Sequence, residues 1–143
     1  EQNALAYSIY SYVTAYRDTG LLTIYAGTDP TNTVQAIQLI MKELRKIKED
    51  GITHAEETRV KNQIKGNLVL SLESSNSHMS RIARQEIYFG KYLSVDDVIR
   101  GVDSVTMEQV LRLAKQLFVN GNVSLSILGP LTKADLPENL LEI

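Results

Sequence analysis

The chain has 143 residues, the size of one domain, and its 43% hydrophobic and 22% charged residues are ordinary globular values that exclude disordered and collagen-like classes. Fifteen Lys and Arg against 17 Asp and Glu give a formal net charge of −2 with no basic stripe, so no nucleic acid is expected as a partner. There is no cysteine, which excludes disulfides and thiolate metal sites, and no run is long and apolar enough to span a bilayer, so no membrane is expected either.

In chain order, "EQNALAYSIY" lacks the basic n-region of a signal peptide and an initiator Met, and reads as the interior of a longer protein. Residues 5–16, "LAYSIYSYVTAY", alternate: Leu5, Tyr7, Ile9, Ser11 and Val13 fall on one face, Ala6, Ser8, Tyr10, Tyr12, Thr14 and Tyr16 on the other. That period of two predicts a strand. Tyr10, Tyr12 and Tyr16 are expected to pack beneath helices, with a chamber wall as the other reading. "RDTG" (17–20) is a turn and "LLTIYAG" (21–27) a second strand, together an antiparallel hairpin.

Asp29 and Pro30 then open a helix carrying Val34, Ile37, Met41, Leu44 and Ile47 at threes and fours, which Gly51 ends. Its run "KELRKIKED" (42–50) alternates in sign, as a solvated helix face does. Thr53 and Glu56 form a capping box for a helix to about residue 73, with Val60, Ile64 and Leu68 as its stripe. "SSNS" interrupts, and a third helix runs from about 77 to 89, with Met79, Ile82, Ala83 and Ile87 apolar, to Gly90. Ser94 with Asp97, and Thr106 with Gln109, cap two more. "VSLSILG" (123–129) reads as a last strand before Pro130 and a polar tail.

The order ββαααααβ predicts an α+β fold: two layers, a mostly antiparallel sheet with helices on one face. Residues 1–143 read as a single domain: a hairpin over 1–28, a helical layer over 29–118, a final strand over 122–129 and a polar tail over 130–143. Three strands are few for five helices, so the sheet is expected to lack strands that precede residue 1.

Catalytic chemistry is hard to find. His54 and His78 are 24 positions apart, fit neither H-x-x-E-H nor H-E-x-x-H, and read as surface histidines near helix starts. The eight glycines are scattered at turns and helix ends, so no phosphate loop exists. Two donors remain, Arg81 and Tyr88, which seven residues of helix place on one face. Arg84 competes with Arg81 for any such role, and Tyr92 with Tyr88.

"LAYSIYSYVTAYRDTGLLTIYAG", "DGITHAEE" and "KGNLVLSLESSNSHMSRIARQEIYFGK" resemble the C-terminal domain of pitrilysin/insulinase-family zinc metallopeptidases, the inverted zincins, above all bacterial members similar to the processing peptidases. The resemblance covers nearly the whole chain. It implies a LuxS/metallopeptidase-like fold lacking its first strand and helix. It also implies that the zinc ligands and general base lie on an N-terminal zinc domain of the same protein, so zinc belongs to the parent and this chain holds no metal or cofactor. Arg81 and Tyr88 match the Arg and Tyr that many members aim at the zinc from across a chamber, where a guanidinium and a phenol would stabilise the oxyanion of peptide hydrolysis.

The chain is thus expected to be the substrate-enclosing part of a zinc metalloendopeptidase acting on peptides or unfolded segments. The isolated chain is expected to be inactive, the parent a homodimer, its compartment the bacterial cytoplasm. The alternative is a non-catalytic processing-peptidase-like subunit or scaffold that holds peptides.

Overall fold

A computed structural model describes residues 5–143, so residues 1–4 of the expected hairpin lie outside the described residues. The chain divides into two units. One comprises residues 1–50 and 113–143, the other Gly51–Arg112.

The first unit begins with strands β1 (Ser8–Ala15) and β2 (Gly20–Gly27), paired antiparallel with Tyr10 opposite Tyr25 and Val13 opposite Leu22. The Tyr16 N–H donates to the Thr19 carbonyl at 2.8 Å and closes the turn. After a 3-10 turn at Pro30–Asn32 comes α1 (Thr33–Asp50). Asp29 caps that turn, accepting from the Thr31 N–H at 2.9 Å and the Thr31 hydroxyl at 2.6 Å. Ile9, Ser11, Leu22 and Ile24 line a groove of about 930 Å³ with Leu39, Ile40 and other residues of α1. Helix and hairpin thus form two layers, and the fold is α+β.

Three expectations need correction. Tyr10, Tyr12 and Tyr16 are not packed beneath helices: each is about half exposed, and Tyr10 stacks on Tyr25 at 4.9 Å between ring centres. Alternation puts Tyr10 and Tyr12 on the face opposite Ile9 and Ser11. Residues 122–129 form no strand, because the sheet holds only β1 and β2 and offers this segment no ladder partner among the described residues. Val123 and Ile127 pack on the core instead, and Leu128 is fully exposed. Residues 130–143 are polar in composition but not in packing. Leu140, 6% exposed, completes the buried cluster with Ile37 and Met41 of α1, and Leu136, Leu141 and Ile143 pack around it. Arg45 clasps the same segment, its Nε and Nη2 both donating to the Glu142 carbonyl at 3.1 and 3.0 Å. Four apolar side chains in the last eight residues outweigh the polar ones between them.

The second unit contains α2 (His54–Ser71), α3 (Ser75–Phe89) and α4 (Val95–Ser104). Helix α5 (Met107–Leu117) starts in this unit and ends in the first. Local chemistry sets the helix starts. The Thr53 hydroxyl accepts from the Glu56 N–H while the Glu56 carboxylate accepts from the Thr53 N–H, and Ser94 and Asp97 repeat the arrangement. Lys61 joins α2 to the end of α4: its Nζ donates to the Asp103 and Val105 carbonyls at 3.1 and 2.6 Å and to the Glu57 carboxylate at 2.8 Å. The apolar stripes of α2 and α3 lie largely open. Here Val60, Ile64, Met79, Ile82 and Ile87 are exposed, and the one buried residue described in this unit is Gln85.

Two outcomes follow. Leu140→Ala should cost about 2–4 kcal/mol in a denaturant titration, whereas Leu128→Ala should stay within about 0.5 kcal/mol. The Ser94 hydroxyl and N–H hold the Asp97 carboxyl below its ordinary range, with Arg100 adding to the effect. A depressed carboxyl stabilises the fold above its unfolded value of about 3.9 and loses that contribution as pH falls through the folded value. Acid titration should therefore weaken protection of the α4 amides, and Asp97→Asn should flatten that dependence.

Candidate functional site

Helix α3 starts at Ser74, whose hydroxyl accepts from the Ser77 N–H at 3.3 Å. It ends at Gly90, which takes φ +61° and donates its N–H to the Glu86 carbonyl at 2.9 Å. A residue with a Cβ resists that left-handed conformation, so glycine is what allows the chain to turn back here.

The returning segment lies on the helix. The Leu93 N–H donates to Gln85 Oε1 at 3.1 Å, and Arg81 Nη1 donates to the Leu93 carbonyl at 3.3 Å. Gln85 and Arg81, one turn apart, thus bond both backbone groups of a single residue. The Arg81 guanidinium also sits over the Tyr92 ring, 5.7 Å from its centre. Its Nε and Nη2 are occluded and have no acceptor among the described residues.

Arg81 and Tyr88 border one open cavity of about 520 Å³, with Arg84, Ser77, Ser80 and Asn76 among its other walls. Tyr88 is 53% exposed. The spacing of seven therefore brings both predicted residues to a shared cavity on one face of α3. Arg84 borders that cavity as well, and Tyr92, read as a rival to Tyr88, lies beneath Arg81 instead. The wall carries two cations and no carboxylate, and among the described residues no ion pair involves Arg81 or Arg84. Chemically it can donate to an anion or to a carbonyl oxygen.

Sequence reasoning passed over Gln85. A residue four beyond Arg81 shares its face, which was legible, but the bond to Leu93 depends on the turn at Gly90. His54 lies apart from this cavity, its Nδ1 3.3 Å from Glu57 Oε2, and Lys61 and His54 together hold the Glu57 carboxyl below its usual range, Lys61 first. Among the described residues no three His, Cys, Asp or Glu side chains gather as metal ligands do, so the residues present do not fit a zinc site.

Comparison with known proteins adds the following. Residues 1–64 match the family described as the peptidase M16 inactive domain. The chain is 43% identical over 130 residues to the uncharacterized zinc protease YmxG of Bacillus subtilis, covering 91% of this chain and 32% of that protein. It is 40% identical over 141 residues to the uncharacterized zinc protease ML0855 of Mycobacterium leprae (98% and 32%). It is 36% identical over 131 residues to the mitochondrial-processing peptidase subunit beta of Saccharomyces cerevisiae (90% and 28%). The chain therefore spans about a third of the length of these curated relatives. Among solved structures, a chain of complex III2 from Candida albicans with Inz-5 bound superposes with a TM-score of 0.73 at 24% identity, over 80% of this chain and 28% of that one, a likeness of fold.

Replacing Gln85 by Ala should remove a hydrogen bond worth about 1 kcal/mol and speed exchange of the Leu93 amide roughly fivefold. Unchanged exchange would mean that the Gln85 bond does not hold this turn.

Proposed function

Because the chain belongs to the M16 (pitrilysin/insulinase) peptidase family, as part of its C-terminal domain, we propose that it encloses substrate in a zinc metalloendopeptidase that cleaves peptides or unfolded segments. Zinc and the general base belong, in this reading, to the two-thirds of the protein outside this chain. Pairing of the parent as a homodimer is part of the same proposal. Support comes from relatives named as zinc proteases at 43 and 40% identity, and from a shared cavity whose wall offers donors and no carboxylate.

The role of this chain's residues follows from charge. Attack on a peptide carbonyl turns its oxygen into an oxyanion, and groups already aimed at that position stabilise it without reorganising. Tyr88 donates a phenolic O–H from the exposed end of α3. Arg81 contributes a cation that the Leu93 carbonyl and the Tyr92 ring hold in place. Both bind or orient the peptide and stabilise developing charge; neither takes up a proton. The exposed apolar stripes of α2 and α3 are the surface that the remainder of the parent would cover.

In the full-length protein, cleavage of an unstructured quenched peptide should be abolished by a chelator. Tyr88→Phe should lower kcat well over tenfold, and Arg81→Ala about 10²-fold, with the melting temperature of Tyr88→Phe unchanged. Absence of cleavage by the intact protein would instead favour a subunit that holds peptides, and unaltered turnover in both variants would remove the two residues from the mechanism.

A further inference from the structure

The cavity on α3 is lined by basic and neutral polar side chains and no acidic one. In a chain with a net charge of −2, its wall brings two guanidinium groups together with the Ser77 and Ser80 hydroxyls, the Asn76 amide and the Tyr88 phenol, and not one carboxylate. Arg81 is the more enclosed of the two. One nitrogen donates to the Leu93 carbonyl, while Nε and Nη2, the two that together form a fork, are occluded and unpaired among the described residues. That fork matches the two oxygens of a carboxylate. Arg84 is exposed beside it and enters no ion pair among the described residues.

We propose that this cavity is a carboxylate subsite: it selects peptides that place an acidic side chain or a C-terminal carboxylate against Arg81 and Arg84. The ligand supplies the acceptors that the Nε and Nη2 groups of Arg81 lack among the described residues. The Nη1 bond to Leu93 and the Tyr92 ring keep the guanidinium within reach. The serine hydroxyls and Asn76 amide give further donors to the same oxygens. Tyr88 and Phe89, both largely exposed, give the flanking peptide an aromatic lip. The inference rests on the reading that this cavity faces substrate, and it adds a specificity to that reading.

The test is direct binding to the full-length protein held in chelator, so that peptides are bound without being cut. Three unstructured fluorescent peptides are compared: one blocked at both ends with a single Glu, the same peptide with Gln, and the Gln peptide with a free C-terminus. The Glu or the free-terminus peptide should bind roughly tenfold tighter than the blocked Gln peptide, which of the two wins naming the source of the carboxylate. The preference should shrink as salt rises and under millimolar inorganic phosphate. Arg84→Gln, a change at an exposed residue that leaves the Leu93 bonds in place, should cut the preference severalfold, so the result does not hang on whether Arg81→Ala folds. Equal affinity for all three peptides, or a preference untouched by Arg84→Gln, overturns the subsite. Chelator-sensitive cleavage crippled by Tyr88→Phe alongside equal affinities would sink this inference alone. A clear carboxylate preference in a protein that cuts nothing would sink the peptidase reading alone.

Discussion

The pair of hydrogen bonds that Gln85 and Arg81 make to Leu93 is the interaction on which the site depends. Helices end where their carbonyls run out of partners, and the chain beyond usually wanders. Here Gly90 reverses it, and Gln85 and Arg81 capture the N–H and the carbonyl of one residue on the surface of the helix that has just ended. The capture fixes three things together: the last turns of α3, the ring of Tyr92, and the guanidinium above that ring. An arginine on an exposed helix would otherwise sample many rotamers, at an entropic cost of up to about 2 kcal/mol whenever it bound anything. Part of that cost is met before any ligand arrives.

Polar interactions carry this burden because apolar ones do not. In the first unit, Ile37, Met41 and Leu140 form a buried cluster with partly buried aliphatic neighbours, and the C-terminal segment closes it. In the second, capping boxes, the Lys61 clasp and the Leu93 capture do the equivalent task. Each such element is a local set of hydrogen bonds between residues near the surface. Covering a single large aliphatic side chain contributes about 1.5–3 kcal/mol, and α2 and α3 expose several. The two units therefore differ in kind: one is stabilised by its own burial, the other keeps its geometry while its apolar faces stay open.

Legibility followed the range of the interaction. The hairpin, the five helices and the caps at Thr53, Ser94 and Thr106 were readable, because each rests on residues within a turn or two of one another, while the third helix starts at Ser75, two residues before the reading placed it. The Gly90 stop was readable for the same reason. What escaped needs a partner far along the chain. Residues 122–129 have the composition of a strand, but composition supplies no ladder partner. The last fourteen residues looked polar by count, and only the packing of Leu140 on Met41, about a hundred positions away, reveals them as core. The tyrosine face of β1 followed its alternation correctly, yet alternation does not say which face a helix takes. At the site, the shared face of Arg81 and Tyr88 was pure helical geometry. The importance of Gln85 was not, since it comes from Leu93 after the turn.

Two arginines in one cavity resolve a conflict that a single one would face. A guanidinium that neutralises a bound carboxylate has spent the charge it could offer an oxyanion, because the attraction between ligand and cation is satisfied in the ground state and contributes nothing extra at the transition state. Here the functions can be divided. Arg84 is exposed and has no ion pair among the described residues, suited to meeting a carboxylate as it arrives. Arg81 is held from below by Tyr92 and Leu93, suited to keeping one edge fixed while another is recruited. Tyr88, two turns along the same face, borders the same cavity and, in the proposed reading, donates to the carbonyl oxygen as charge develops there. In the proposed reading, a helix presenting all three to one space grips a substrate by its charge and still keeps a donor in reserve for the reaction.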